Sequence, residues 1–527
     1  MLKVKLKQLL TNSLFFILFL SGLNTAGDYG LSWDSMQRGS GIRSAGYILT
    51  KIGIQNSLEN DYDIYPRDHN DAYGVIFDVV SISVEKLFKL KDKKEIYTMR
   101  HRLNFLFYFI GCLFYFLLSK RIFGFKIALL SIFLYTLHPR LLAHGFFNPK
   151  DSILQSYVAI TLYPIFLALE GNKSKWYIFS GVMMGICVAT RIVMIYLPVL
   201  FFISMFIIHF KSFYYRDYQR IIILIKKYVL TLFFFIFSLI LCWPILWEDP
   251  ISNFIWAFNI MSDFPWGGHV LFMGKDIPSD SLPWYYLPIW YGITTPLAFV
   301  ILFFFGIIKL FFLTNIIFNR KNIILYFSLA GILIPLLSVI ILKSSLYDGW
   351  RHFYFIYPFI SLISVNGYIF SLKMIKKIKY FKLRIITLSM MLALIIFPSV
   401  SSFYKMHPHQ HTYFNFIAGS DPLLKYEGDY WGVSYKQGLE ILLDSKEGDI
   451  LLAVGNFPGK NNIQMLSIND RDRIKIVDLE KAKFFITNFR FNLKDYVKSN
   501  KKIIPFENEI FNIKYGEMKI LGAYEIN

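Results

Sequence analysis

The chain has 527 residues, 55% of them hydrophobic and 19% aromatic, while only 17% are charged. No ordinary soluble domain needs that balance for its core, so a multi-span membrane protein is expected. The formal net charge of +20 would suit nucleic acid or an anionic surface, and the placement of Lys and Arg has to decide between them.

The opening carries Lys3, Lys5 and Lys7 ahead of an apolar run from Leu14 to Leu23. It reads as an uncleaved first span with a cytoplasmic N-terminus, a removable signal being the alternative. Residues 24–100 then form a long polar stretch on the outer side, with Asp28, Asp34 and the acidic run from Glu59 to Asp63. Within it Tyr73, Ile76, Val80, Val84 and Leu87 recur at helical spacing. That stripe suits a helix lying on the bilayer surface, and equally the core of a small outer domain.

From His101 onward, apolar runs of roughly bilayer length alternate with short connections. Spans are predicted at 103–119, 127–143, 152–169, 177–190, 192–210, 228–246, 285–308, 323–342, 353–371 and 385–402, about eleven with the first. The basic residues fall in every second connection, from Lys120, Arg121 and Lys126 to the cluster between Lys373 and Arg384. The other connections hold Asp151, Glu248, Asp249, Asp263, Asp276, Asp280 and Asp348. This is the positive-inside pattern; it absorbs most of the excess charge, and no nucleic-acid partner is required. Cys112, Cys187 and Cys242 all lie inside predicted spans, where neither a disulfide framework nor a metal site is expected.

After residue 402 the long apolar runs stop. Residues 403–527 are predicted to form a small extracytoplasmic α/β domain, with strands at Ile450–Val454, Ile474–Val477, Phe484–Thr487 and Met518–Leu521 and a helix at Ser434–Leu443. The segment Gly455–Lys460 is only superficially like a phosphate loop, because its spacing is short and no Ser or Thr follows the lysine; it reads as a turn.

Chemistry concentrates in the connections assigned to the outer face. Between two apolar runs stands His138-Pro139-Arg140, then Asn148-Pro149-Lys150-Asp151; ionisable groups so close to lipid are functional candidates by default. A third connection carries His269 and a fourth reads Tyr347-Asp348-Gly349-Trp350-Arg351-His352. Carboxylates, cations and aromatic rings at a membrane surface suit group transfer from a lipid-borne phosphate ester. A carboxylate takes the acceptor proton, and fixed cations hold the departing phosphate. Asp34 and Asp151 are the candidate catalytic carboxylates, and Arg140, Lys150, Arg351 and His352 the candidate phosphate-binding groups. Asn148, His269, Tyr347 and Asp348 are candidate substrate contacts. No motif calls for a cofactor; a divalent metal stays open, with His269 as a candidate ligand.

These residues carry a resemblance. The long first outer loop with its early aspartate resembles the type C fold of membrane glycosyltransferases, and more narrowly bacterial glycosyltransferase family 39, relatives of protein O-mannosyltransferases and lipid A aminoarabinose transferases. The matching pieces are Tyr73-Gly74, Arg100-His101-Arg102, His138-Pro139-Arg140 through Asp151, Leu282-Pro283-Trp284-Tyr285-Tyr286 through Thr294-Thr295-Pro296, and Asp348 through His352. Beyond the spans, His407-Pro408, Tyr413-Phe414-Asn415 and Asp429 through Tyr435 are also similar. The resemblance implies a polyprenyl-phosphate sugar donor, an acceptor on the outer face of the cytoplasmic membrane and inversion at the anomeric carbon. Asp34 would match the family's base and Asp151 its second-loop acid. Many relatives have an acidic pair where this chain has Asp34-Ser35, which leaves Asp28 as the competitor.

A transporter or flippase of a lipid-linked or anionic solute is the alternative. It would set its polar residues near the bilayer midplane rather than at one face. A noncatalytic scaffold binding a partner through its outer loops is a third reading.

Overall fold

In a computed structural model, residues 2–54, 72–171, 173–262, 264, 266–312, 320–490 and 508–526 are described. The acidic run Glu59–Asp63 and Asp263 lie outside them.

All of the predicted spans fall on helices. Among the described residues seven helices are long and apolar enough to cross a membrane, and an eighth span is counted if one bent pair is taken together. Of the four predicted spans outside these seven, Ser174–Thr190 has only 17 residues and two others are interrupted. The run predicted at 285–308 divides at Thr295-Pro296 into Tyr286–Thr294 and Leu297–Phe312. The run at 127–143 breaks into Phe125–Thr136 and Pro139–Phe147, bent by 68°. Pro139 lacks the N–H that would continue the first helix and sits instead in the first turn of the second, capped by His138 Nδ1 on the Leu141 amide at 3.4 Å.

The helix Lys93–Phe123 starts where the Asp92 carboxylate accepts the amides of Lys94 at 3.0 Å and Glu95 at 3.3 Å, and stops at Gly124, whose φ of +85° suits only glycine. Leu297–Phe312 and Tyr357–Lys376 meet backbone to backbone. A Cβ on Gly306 would lie 2.0 Å from the Ile363 carbonyl, so only glycine permits this approach. Large apolar side chains such as Phe233, Phe237, Leu394 and Phe397 point outward from Tyr218–Cys242 and Phe381–Met406, as a lipid-facing belt requires.

The amphipathic segment is the helix Ile76–Leu87. Leu87 and the adjoining Phe88 are exposed, whereas the buried face carries Asp78, Ser81 and Glu85 with Phe77 and Ile82. Of the predicted stripe, Leu87 is exposed while Tyr73, Ile76, Val80 and Val84 are half-buried, Ile76 against the core of the helical part. Arg100 ties the helix down, pairing with Asp78 at 2.6 Å and donating to Ser81 Oγ at 2.5 Å.

A hairpin of β1 (His269–Phe272) and β2 (Lys275–Pro278) turns through Met273 and Gly274, both at positive φ. The C-terminal sheet holds β3 (Ile450–Val454), β4 (Ile474–Ile476), β5 (Phe484–Thr487), β6 (Glu509–Tyr515) and β7 (Met518–Glu525), in the order β4-β3-β5-β7-β6. β3, β4 and β5 are parallel, β7 runs antiparallel to β5, and the helix Ser434–Ser445 covers the sheet. The predicted strands and helix are all present, and β6 is an addition. Gly455–Lys460 is more than a turn: it leads into a short helix, Phe457–Asn462, with Pro458 in its first turn.

The last long helix ends at Met406, close to the predicted domain boundary. The cores divide later. Ala418, Tyr426, Tyr430, Trp431 and Val433 share the core of the helical part, and the sheet's own core begins at Tyr435. Residues 407–433 thus form a collar packed onto the membrane helices, with Asn415 Nδ2 donating to the carbonyls of Gly292 at 2.6 Å and Thr295 at 2.7 Å.

Candidate active site

Four chain segments meet where helices end. Asp34 lies in the single turn Trp33–Gln37 beyond the first helix, Asp151 opens the helix Asp151–Leu169, Arg191 follows Ser174–Thr190, and Asp348 and Arg351 stand at the start of the segment leading into Tyr357–Lys376. That all five sit at one end of their helices fixes the parity of the intervening spans. Ser174–Thr190 and Tyr196–Tyr214 are two helices, as predicted, joined through Arg191 and the short turn Ile192–Ile195.

Arg351 is the hub. Its Nη1 lies 3.1 Å from Asp151 Oδ2 and 3.7 Å from Asp34 Oδ2, and its Nη2 lies 3.2 Å from Asp348 Oδ2. The rings of Trp431 and Tyr347 cover its two sides, 4.8 Å and 4.9 Å from the guanidinium carbon. A buried charge in this setting is tolerable because each donor has an acceptor.

The two candidate catalytic carboxylates differ in their freedom. Asp151 is buried and fully engaged: Oδ1 takes Arg191, Oδ2 takes Arg351 and the Asn148 amide at 3.0 Å, and its own backbone N–H donates to Asn148 Oδ1 at 2.9 Å. Asp34 is more open, its side chain 18% exposed, and the guanidinium stands off at 3.7 Å. Its rival Asp28 points away, pairing with His407 at 2.8 Å on the surface.

The candidate cations also divide. Lys150 lies against the Tyr73 ring, 3.9 Å from its centroid, and has no carboxylate within ion-pair distance among the described residues. Burial pushes its ammonium below the ordinary lysine value, opposed by Asp34. Tyr73, Gly74, Lys150, Thr190 and Arg191 line a cleft whose remaining wall is apolar, from Ile76, Phe77, Ile153 and Tyr157. Arg140, by contrast, is turned into the core: Nε donates to the Tyr413 carbonyl at 2.8 Å and the guanidinium packs on Phe414 and Trp290. No contact joins it to Asp34, Asp151 or Arg351. His352 packs edge-on against Tyr347 at 4.6 Å, and Tyr347 stacks on Trp266 at 4.1 Å.

His269 is apart from the cluster, exposed on β1 and 3.3 Å from Asp276. Among the described residues no group of three or more His, Cys, Asp or Glu could hold a metal. Where Asp34, Asp151 and Asp348 converge, the cation between them is Arg351.

Residues that sequence reasoning passes over complete the site. In the sequence Arg191 marks only a break between spans. Arg490, from the C-terminal domain, reaches Asp348 Oδ1 at 3.0 Å. Glu427 lies close by, its carboxyl pushed up to about 8 by burial and by the charge of Asp348, and Oε2 has no hydrogen-bond partner. The indole N–H groups of Trp290 and Trp431 are likewise buried without a hydrogen-bond partner among the described residues. Such a gathering calls for water or a hydroxyl-rich ligand. With Glu427 neutral, Asp34, Asp151 and Asp348 face Arg191, Arg351, Arg490 and Lys150, three negative charges against four positive.

No curated protein sequence matches the chain. Solved structures similar to it include ArnT from Cupriavidus metallidurans, in the apo state and bound to undecaprenyl phosphate. In both, identity is 12%, coverage is 97% of each chain and the TM-score is 0.47. The apo oligosaccharyltransferase of Archaeoglobus fulgidus is 10% identical over 89% of this chain and 65% of that one, at a TM-score of 0.48. Residues 99–243, the stretch that carries His138 to Asp151 and Arg191, match the family model of dolichyl-phosphate-mannose-protein mannosyltransferase, so there the glycosyltransferase resemblance of the motifs holds.

Proposed function

We propose that the protein is a membrane glycosyltransferase that moves a sugar from a polyprenyl-phosphate donor to an acceptor hydroxyl, with inversion at the anomeric carbon. The acceptor is a lipid, glycan or protein on the outer face of the cytoplasmic membrane, and the C-terminal domain is extracytoplasmic. The observation that carries this reading is the guanidinium of Arg351 shared between Asp151 and Asp34, beside a lysine with no carboxylate of its own. A polar site at helix ends also favours transfer over transport, which would place its polar groups at mid-depth.

The chemistry assigns roles from the geometry. The acceptor oxygen bonds to the anomeric carbon as the bond from that carbon to the phosphate oxygen breaks, and the phosphate leaves with the electron pair. Asp34, the more open carboxylate, takes the acceptor proton. Lys150 and Arg191, which line one cleft, hold the growing phosphate charge. Asp151 touches no reacting atom; both of its oxygens are committed to holding Arg191 and Arg351 in place. The unpartnered Glu427 Oε2 and the indole N–H groups of Trp290 and Trp431 suit the hydroxyls of a sugar.

The test is turnover by the purified full-length protein in lipid nanodiscs with polyprenyl-phosphate sugars, polyprenyl phosphate release being followed by mass spectrometry. Comparing envelope glycans and lipids with and without the protein identifies the acceptor. Release that Lys150→Gln slows is expected. A donor panel bound by neither wild type nor variant rejects the reading.

A further inference from the structure

We infer that Arg490, on the C-terminal domain, is a positioning residue of the transfer site: by holding Asp348 it sets where Arg351 stands relative to Asp34. This rests on the transferase reading and goes beyond it, since it makes the small domain part of the catalytic apparatus.

The contacts run in both directions from Arg490. One arm, Nη2, lies 3.0 Å from Asp348 Oδ1, while Asp348 Oδ2 takes Arg351. The other arm donates to the Tyr430 carbonyl, and the guanidinium carbon lies 5.3 Å over the ring of Trp33, the residue before Asp34. Trp33 in turn stacks on Phe457 of the same domain at 5.8 Å. The arginine and its domain therefore contact both sides of the reaction centre, next to the candidate base and next to the hub.

The local backbone is built for this aim. Beyond the end of β5, Asn488 is buried and netted: its amide donates to the Asp429 carbonyl at 2.6 Å, and its oxygen accepts the Asn456 amide at 2.5 Å. Phe489 then takes a positive φ of 55°, which swings the chain so that Arg490 faces the membrane part. Opposite it, Asp348 sits at a φ of 58°. Non-glycine residues in this region are strained and persist where the surroundings hold them in place. One of them precedes Arg490 and the other is Asp348 itself, so the backbone on both sides of the ion pair is held in an uncommon conformation.

The consequence is a division of Asp348. With Arg490 on one oxygen, the carboxylate offers Arg351 only the other, and Arg351 remains extended toward Asp151 and Asp34. Arg351 already gives both Nε and Nη2 to Asp348 Oδ2, each at 3.2 Å; without Arg490 the second oxygen is freed, and Asp348 can take the two donors on separate oxygens, a fork-to-fork pairing that turns Arg351 off Asp34. Lysine is no substitute, because a point charge cannot reach Asp348 and the Tyr430 carbonyl together.

The experiment uses full-length protein in nanodiscs with two readouts. For transfer, Arg490→Gln and Arg490→Lys each lower the turnover number at least tenfold, with the donor KM changed less than threefold and the melting temperature nearly unchanged. On an Asp348→Asn background, Arg490→Gln adds no further loss. Wild-type turnover in Arg490→Gln, a loss confined to the melting temperature, or losses that multiply with Asp348→Asn would overturn the proposal.

The second readout needs no catalysis. In a variant with Asp34→Cys and the three native cysteines replaced, labelling by an anionic thiol reagent slows several-fold on adding either Arg490 substitution. Because Arg490→Lys keeps the charge, slowing there reports position. Unchanged labelling overturns the positioning role even if the protein proves to transfer no sugar, so the two failures are told apart.

Discussion

The two ends of the loop from His138 to Asp151 carry the same kinds of residue and do opposite things. At one end His138 and Arg140 are fully buried, bonded to Thr295 at 3.1 Å and to the Tyr413 carbonyl at 2.8 Å. They bind the helix pair to the collar of residues 407–433. At the other end Asn148, Lys150 and Asp151 face Arg351, Arg191 and Asp34. The bend of 68° at Pro139 lies at the first end, and the helix Pro139–Phe147 carries the chain from the core to the site. A cation near a membrane face thus acquires its role from the direction in which its backbone releases it, not from its charge.

The sharpest way to break this contrast is at the hub. Arg351→Met leaves Asp151 buried with Arg191 alone and is expected to cost about 3–5 kcal/mol, the usual loss when one partner of a buried ion pair is removed. Thermal unfolding of the detergent-solubilised protein reads it, and transfer should vanish with it. Lys150→Gln should act differently, raising the donor KM about 10- to 100-fold with the fold intact, because it removes a charged contact to phosphate and leaves no buried partner stranded. Its counterpart Arg140→Gln should do the reverse: about 1–3 kcal/mol less stable, from the lost bond to the Tyr413 carbonyl, with the donor KM unchanged. If Arg140→Gln raises the donor KM as much as Lys150→Gln does, the two ends are not distinct.

Glu427 supplies a pH test of the same neighbourhood. Its carboxyl is pushed from the ordinary glutamate range up to about 8, first by burial and then by Asp348. The folded protein therefore holds a proton that the unfolded chain has released, and stability is lost as pH rises from about 4.5 to about 8. Melting temperatures of wild type and Glu427→Gln should diverge across that window, the variant losing less. The smallest effect is expected at His269, where Ala should change turnover by less than twofold, since the side chain is exposed on the hairpin and pairs with Asp276, away from the cluster.

Much of this architecture is legible in the sequence because apolar runs and charge bias are strong signals. The strands β3, β4, β5 and β7 show themselves as short β-branched or aromatic runs, whereas β6 does not, its seven residues including Glu509, Asn512 and Lys514. Asp151 and Lys150 stand out as charges wedged between spans. Arg191 stands out equally, but a lone arginine at a helix break looks the same whether it anchors a helix or pairs with a carboxylate 40 residues away. Arg140 groups with the phosphate binders by sequence because nothing there says which way a side chain leaves the turn after a proline. Arg490 meets Asp348 across 142 residues, in a domain whose sequence shows no catalytic motif. Only the folded chain brings those two together.

Asp34 is proposed to take the acceptor proton in a site whose donor grip is built by other residues. This assignment is tested most directly by Asp34→Asn in nanodiscs, measuring donor affinity and turnover on the same preparation. The account predicts unchanged affinity for the polyprenyl-phosphate donor and turnover reduced about 10²- to 10⁴-fold, the range that general-base catalysis supplies. Turnover at the wild-type rate by Asp34→Asn would contradict it.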